Sequence, residues 1–152
     1  MVTNVEVAAQ FDEIADRLLL QGDSWFKVSS YRRAAETLRA AQRPLAGLAA
    51  EHQLLKLPGV GQAIATKIGD FLRTGEIPLL ERLRAEQPDG LLRLLRESSL
   101  QPRQIRALAG GPLKIDSPEA LAAAAADGRL DVADGLDPDT VTAIRARLRD
   151  RM

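Results

Sequence analysis

The sequence predicts an all-α protein, and three observations predict it. Apolar residues recur at three- and four-residue spacing along most of the 152-residue chain. Pro, Ser, Asp and Gly fall where such periodic stretches would start and stop. No run of alternating β-branched residues reads as a strand.

Asn4 is placed to cap a first helix with Val5, Ala8, Phe11, Ala15, Leu18 and Leu19 on one face, and Gly22 ends it. Ser24 or Asp23 caps a second helix in which Val28, Tyr31, Ala34, Ala35 and Leu38 share a face and Pro44 sets the limit. A short apolar stretch, Leu54 to Leu57, leads into Pro58-Gly59-Val60-Gly61. The next helix begins near Gln62, turns Ile64, Ala65, Ile68, Phe71 and Leu72 inward, and stops at Gly75. Pro78 opens another that reaches about Glu86. His52 reads as an exposed helical residue.

Pro88-Asp89-Gly90 is a cluster of helix breakers, which divides the chain into domains at 1–88 and 89–152. Beyond it, shorter helices are expected over about 90–97, 102–109, 118–126 and 138–150. Pro102, Pro118 and Pro138 each stand at a first helical turn, with Ser117 and Asp137 as preceding caps. Ala122 to Ala126 is helix rather than disorder, because Ala is the best helix former.

Composition removes several classes of function. The chain has no Cys and a single His, so disulfide scaffolds, thiolate metal sites and His-rich sites are excluded. No apolar run approaches the ~18–20 residues that span a bilayer. No signal-peptide pattern opens the chain, so a cytoplasmic protein with no membrane partner is expected, and Met1 is what a complete protein would show. All five aromatics lie at or before position 71, which argues against a single-strand binder built on many stacking rings. Net charge is zero, from 21 basic and 21 acidic residues. Locally the signs separate: 31–43 holds four Arg against Glu36, 93–106 holds four Arg against Glu97, and 114–139 holds seven acids against two bases. A nucleic-acid partner would therefore have to be met by local patches.

The most informative segment is Leu57-Pro58-Gly59-Val60-Gly61 running straight into a helix. Two glycines permit positive φ and remove the Cβ that would keep a ligand from the backbone. The free N–H groups and dipole of the helix start form an anion site, and a phosphate held there is bound without reading base sequence. The alternative is a tight inter-helical turn with no ligand. Small Ala65, which allows close helix approach, favours the first reading.

This stretch, continued by Phe71-Leu72-Arg73-Thr74-Gly75, resembles the helix-hairpin-helix of X-family DNA polymerases, and Tyr31-Arg32-Arg33-Ala34-Ala35 resembles the Tyr-Arg-x-Ala-Ala block of the helix preceding it. The resemblance covers residues 4–86 as the lyase-type N-terminal domain of the polymerase beta type. It extends more weakly to 152 as a fingers-like subdomain. It implies contact with the DNA backbone through Gly59, Val60, Gly61, Lys67, Lys27, Tyr31, Arg32 and Arg33, on duplex, nicked or gapped DNA and in a repair setting. It also implies a monovalent cation, Na⁺ or K⁺, on the backbone carbonyls of Leu57 and Val60; no other cofactor is required.

In lyase-active members a Lys at the position of Lys67 forms a Schiff base with a 5′-deoxyribose-phosphate. A deprotonated Lys can act so and Arg cannot. Other positions depart from that pattern: Ala63, Leu55 and Leu79 each replace a Lys and Phe26 replaces a His. A phosphate contact is therefore the preferred role for Lys67, and a binding module is expected rather than an enzyme. Ser98-Ser99-Leu100-Gln101-Pro102 stands where a second hairpin would carry two glycines, and Asp134-Gly135-Leu136-Asp137 stands at a third. Asp137 would repel phosphate there. Asp137-Pro138-Asp139 copies a polymerase metal pair only superficially, since it opens a helix, and capping is the preferred role. A polymerase palm has no room in this length. Arg145, Arg147, Arg149 and Arg151 alternate and so spread around a helix as a solvated tail. Two alternatives stand beside the binding module: a residual 5′-deoxyribose-phosphate lyase acting through Lys67, and a protein-interaction scaffold, which zero net charge and two eroded hairpins motivate.

Overall fold

A computed structural model describes residues 2–132 and 136–150. The described residues form nine α-helices and no strand: α1 (Asn4–Leu20), α2 (Trp25–Ala40), α3 (Leu45–Ala50), α4 (Gln62–Thr74), α5 (Pro78–Glu86), α6 (Asp89–Glu97), α7 (Pro102–Gly110), α8 (Pro118–Ala126) and α9 (Pro138–Asp150). Short 3-10 turns cover Leu54–Lys56 and Arg129–Val132. The all-α expectation holds throughout. Among the described residues no helix is long and apolar enough to cross a membrane. Nor does any group of three or more His, Asp or Glu among them suit a metal ion.

The chain divides into two compact units: residues 1–19 with 23–86, and residues 20–22 with 87–152. In the first, Phe11 and Ile14 of α1, Val28, Ala34 and Leu38 of α2, Ile68 of α4 and Leu80 and Leu83 of α5 share one core. In the second, Leu94, Ile105, Leu121, Leu130 and Ile144 share another.

Several local expectations are corrected. Thr3, not Asn4, caps α1: its Oγ1 accepts the Glu6 N–H at 3.1 Å, and the Glu6 carboxylate returns to the Thr3 N–H at 3.4 Å. That is a Thr-x-x-Glu capping box. Asn4 instead ties α1 to the start of α3, donating to the Arg43 carbonyl at 2.9 Å and accepting the Leu45 N–H at 3.0 Å. Val5 is exposed, while Val7 and Ile14 fill the core. The six-residue α3 is unanticipated, and His52 lies in the turn after it with φ +56°, not on a helix. Pro88 precedes α6, but Asp89 and Gly90 are its first residues. Gly90 is required there because a Cβ would fall 2.1 Å from the Asp116 carbonyl oxygen.

The other boundaries follow from their residues. Ser24 Oγ accepts the Lys27 N–H at 3.2 Å, so Ser24 rather than Asp23 caps α2. Gly75 takes φ +80° and donates its N–H to the Phe71 carbonyl, closing α4. Glu13 of α1 is held between Arg84 of α5 (2.7 and 2.8 Å) and the buried Arg17 (2.8 Å). Hydrogen bonding by Arg84, then by Arg17, brings its carboxyl from 4.5 down to about 2 against the opposing effect of burial.

Candidate functional site

The turn between the Leu54–Lys56 3-10 segment and α4 is built from residues 57–61. Leu54 and Val60 are buried in the first core and anchor its two sides. The Val60 N–H bonds the Leu57 carbonyl at 3.1 Å, closing the loop. Only Gly59 of the two glycines needs a left-handed backbone, at φ +77°. Gly61 sits at φ −90° and ψ −173°, ordinary extended backbone, which corrects the idea that both glycines serve positive φ. Its role is different. It is the N-cap of α4, provides no side chain to cap the helix, and a Cβ built on it would meet nothing within 4 Å.

The start of α4 therefore faces open space with its first N–H groups uncapped by any side chain. No acidic residue stands in its first turn to neutralise the positive end of the helix dipole. An anion is the group this arrangement accommodates.

The basic residues expected here fall into two sets. Lys67 lies one and a half turns into α4, with Nζ 5.9 Å from the centre of the Tyr31 ring, a cation–π contact. Tyr31 is buried and stacks on Phe11 with ring centres 6.1 Å apart, which fixes the ring beneath Lys67. Arg33 lies beneath the hairpin, where a Cβ on Gly59 would come 3.1 Å from its Cδ. Among the described residues no carboxylate pairs with Lys67, Arg33 or Lys56. Arg32, by contrast, is engaged by Asp16 of α1 at 2.6 Å. Arg39 is engaged by Asp12 and Arg43 by Glu51 at 2.8 Å, so most of the Arg cluster of 31–43 is internally neutralised. Among the described residues Lys27 has only a loose partner, Asp23 at 3.6 Å, and its side chain is 59% exposed.

The four residues that depart from the pattern implied by the resemblance lie on the surface or at its edge. Phe26 and Leu55 are exposed, as is Ala63, and Leu79 is half-buried. Trp25 is exposed beside Phe26. Sequence reasoning missed Thr37, whose Oγ1 donates to the Pro58 carbonyl at 2.8 Å. The signal was its position four residues after Arg33, on the same face of α2.

The counterpart turns of the second unit are closed. A capping box of Gln101 and Gln104 occupies the start of α7, with the Gln101 N–H on Gln104 Oε1 at 2.8 Å. Ser117 Oγ takes the Ala120 N–H of α8 at 3.0 Å. Asp137 Oδ1 takes the Thr140 N–H of α9 at 2.7 Å, and this backbone donor lowers its carboxyl below the usual range. Asp137 is thus a cap, as expected. Asp134 and Gly135 of the third turn, and Arg151 of the tail, lie outside the described residues, as does the side chain of Arg149.

Comparison with known proteins agrees with this geometry. A helix-hairpin-helix domain model matches residues 2–77. The chain is 31% identical over 103 residues to the DNA polymerase/3′-5′ exonuclease PolX of Bacillus subtilis (strain 168). That match covers 68% of this chain and 18% of the length of the relative, and it bears out the resemblance to X-family DNA polymerases.

Proposed function

The chain belongs to the helix-hairpin-helix domain family, and on that premise we propose that its first hairpin grips DNA by the sugar–phosphate backbone, without reading sequence. The observation that carries the reading is the bare start of α4: a glycine N-cap, no side-chain cap, no acid in the first turn, and open space beyond it. A phosphate at that position accepts from backbone N–H groups, with Lys67 and Arg33 as the cations left unneutralised nearby. Lys27 and Lys56 add exposed charge at the margins. Arg32 contributes less, because a phosphate would have to compete with Asp16. The setting is DNA repair, and the ligands are duplex, nicked or gapped DNA.

The implied monovalent cation fits the turn. The Leu57 carbonyl accepts one hydrogen bond, from Val60, and keeps a second lone pair, and among the described residues no backbone N–H bonds the Val60 carbonyl. Those two oxygens would hold the ion, which supplies positive charge between turn and phosphate.

Lys67 belongs to this site as a phosphate ligand. Ala63, Leu55 and Leu79 leave it without the other lysines that the resemblance assigns to a lyase pocket. The exposed Trp25, Phe26 and Leu55 are what a protein-interaction scaffold would present, and that reading replaces this one if DNA is not bound.

The test is a titration of intact, nicked and gapped duplexes at two salt concentrations. Gly61→Val should weaken binding by ~1–3 kcal/mol, the size of a charge-assisted contact. Its backbone is tolerated at φ −90°, so the loss reports obstruction of the approach and not strain. Lys67→Glu should weaken binding about equally across sequences and flatten the salt slope. Borohydride should trap little or no adduct on a 5′-deoxyribose-phosphate end. Wild-type affinity in both folded variants removes the hairpin as the site, and a strong Lys67-dependent adduct makes the protein a lyase.

A further inference from the structure

The hairpin touches α2 at two consecutive residues. Thr37 Oγ1 donates to the Pro58 carbonyl at 2.8 Å. The Arg33 stem lies against Gly59, with Cδ and Cγ 3.1 and 3.2 Å from where a Cβ would stand. Residues four apart on a helix share a face, so the two contacts come from adjacent turns of one stripe of α2. They fall on either side of the Pro58–Gly59 peptide, the link at which the chain enters its left-handed residue.

A trans peptide is planar, and its C=O and N–H point in opposite directions. With the Pro58 oxygen drawn toward Thr37, the Gly59 N–H is aimed away from α2. Among the described residues it donates to no backbone carbonyl. Arg33, seated by its stem, keeps its guanidinium clear of any carboxylate among the described residues, and the residue is exposed.

We propose that Thr37 and Arg33 are a two-point clamp on the hairpin: Thr37 fixes the orientation of the Pro58–Gly59 peptide so that the Gly59 N–H points at an incoming phosphate, and Arg33 supports the turn with its stem while offering its guanidinium to the same strand. The proposal rests on the DNA-backbone reading of the hairpin. Thr37 is a positioning residue acting through Pro58. Arg33 has two separable parts, a stem and a charge.

Four variants of the whole chain separate these roles: Thr37→Val, Thr37→Ser, Arg33→Met and Arg33→Ala. Each is titrated with a labelled duplex at several salt concentrations, and the Gly59 amide resonance is followed in the free protein. Thr37→Val should move the Gly59 resonance and weaken binding about 3–10-fold, the effect of one hydrogen bond, with the salt slope unchanged. Thr37→Ser, which keeps the donor, should restore both. Arg33→Met, which keeps the stem, should leave the Gly59 resonance near its wild-type position and lower the salt slope by about one. Arg33→Ala should lower the slope equally, shift the resonance and cost further affinity. An unmoved Gly59 resonance and full affinity in Thr37→Val would overturn the clamp, and a full salt slope in Arg33→Met would overturn the role of its charge. Wild-type protein that binds no duplex would instead remove the DNA reading and the phosphate role with it, while the Gly59 resonance would still decide whether Thr37 orients the peptide.

Discussion

The start of α4 in the first unit differs from helix starts in the second, and from those of α1 and α2 in its own unit, which Thr3 and Ser24 cap. In the first, α4 begins at a glycine that offers its N–H groups nothing and leaves the space before them clear. In the second, the side chains of Ser117 and Asp137 close the starts of α8 and α9, and the Gln104 side chain turns back to the Gln101 N–H before α7. A side-chain cap contributes ~1 kcal/mol to stability. A glycine in its place costs only a few tenths of that, so the open start of α4 is held at little expense in stability and keeps its donors for something else. The lesson is that a phosphate site is made as much by withholding a cap as by adding a cation. In the second unit, a helix start whose N–H groups a side chain already satisfies has little left to offer a phosphate.

The same contrast appears in the glycines, and there the largest effect is expected. Gly90→Ala puts a methyl against the Asp116 carbonyl and should destabilise the second unit by ~3 kcal/mol, seen as a lowered urea midpoint. Gly61→Ala should cost the first unit only ~0.5–1 kcal/mol, as a slightly poorer N-cap, while still reducing DNA binding. A stability loss at Gly61 as large as that at Gly90 would break the distinction between a glycine kept for packing and one kept for access.

A second expectation concerns pH. Glu13 has its folded pKa lowered to about 2 from 4.5 by Arg84 and Arg17, so its contribution is fully present above about 4.5 and is lost as pH falls toward 2. Glu13→Gln should destabilise the first unit by ~1–2 kcal/mol near neutrality, a partly buried pair being worth less than a fully buried one. The difference from wild type should shrink through that acid window in denaturation at stepped pH. A constant difference down to pH 3 would show that shape, not charge, is what Glu13 contributes.

The smallest effect sharpens the comparison. Asp137→Ala should lower the urea midpoint slightly through loss of the α9 cap and leave DNA affinity in the same titration unchanged. If removing that carboxylate raises DNA affinity, the start of α9 is a masked phosphate site and the two units are less different than their caps suggest.

Most helices were legible because their ends carry strong local signals: Pro78, Pro102, Pro118 and Pro138 at first turns, Ser24, Ser117 and Asp137 as caps, and Gly75 as a left-handed stop. The short α3 was not, since six residues are too few for a period to emerge. Thr3 and Asn4 are both capping types side by side, and only Glu6, three residues after Thr3, decides between them. At the candidate site the glycines and Lys67 could be read from the chain. Their division of labour could not, because the sequence of Gly59 and Gly61 does not say which adopts φ +77°. Nor could the commitment of Arg32 and Arg39 be foreseen: it depends on Asp12 and Asp16, one turn apart on α1, meeting α2 in space.

The seating of Lys67 over Tyr31 has an optical consequence. The chain has one Tyr and one Trp. Tyr31 is 8% exposed beneath the Lys67 ammonium, and Trp25 is 69% exposed on the same helix, about 9 Å away along its axis. An ultraviolet donor and its acceptor are thus built into α2 beside the hairpin. Anything that draws Lys67 off the ring or covers the indole alters the emission of the unlabelled protein, so the native chromophores themselves can report what arrives at the turn.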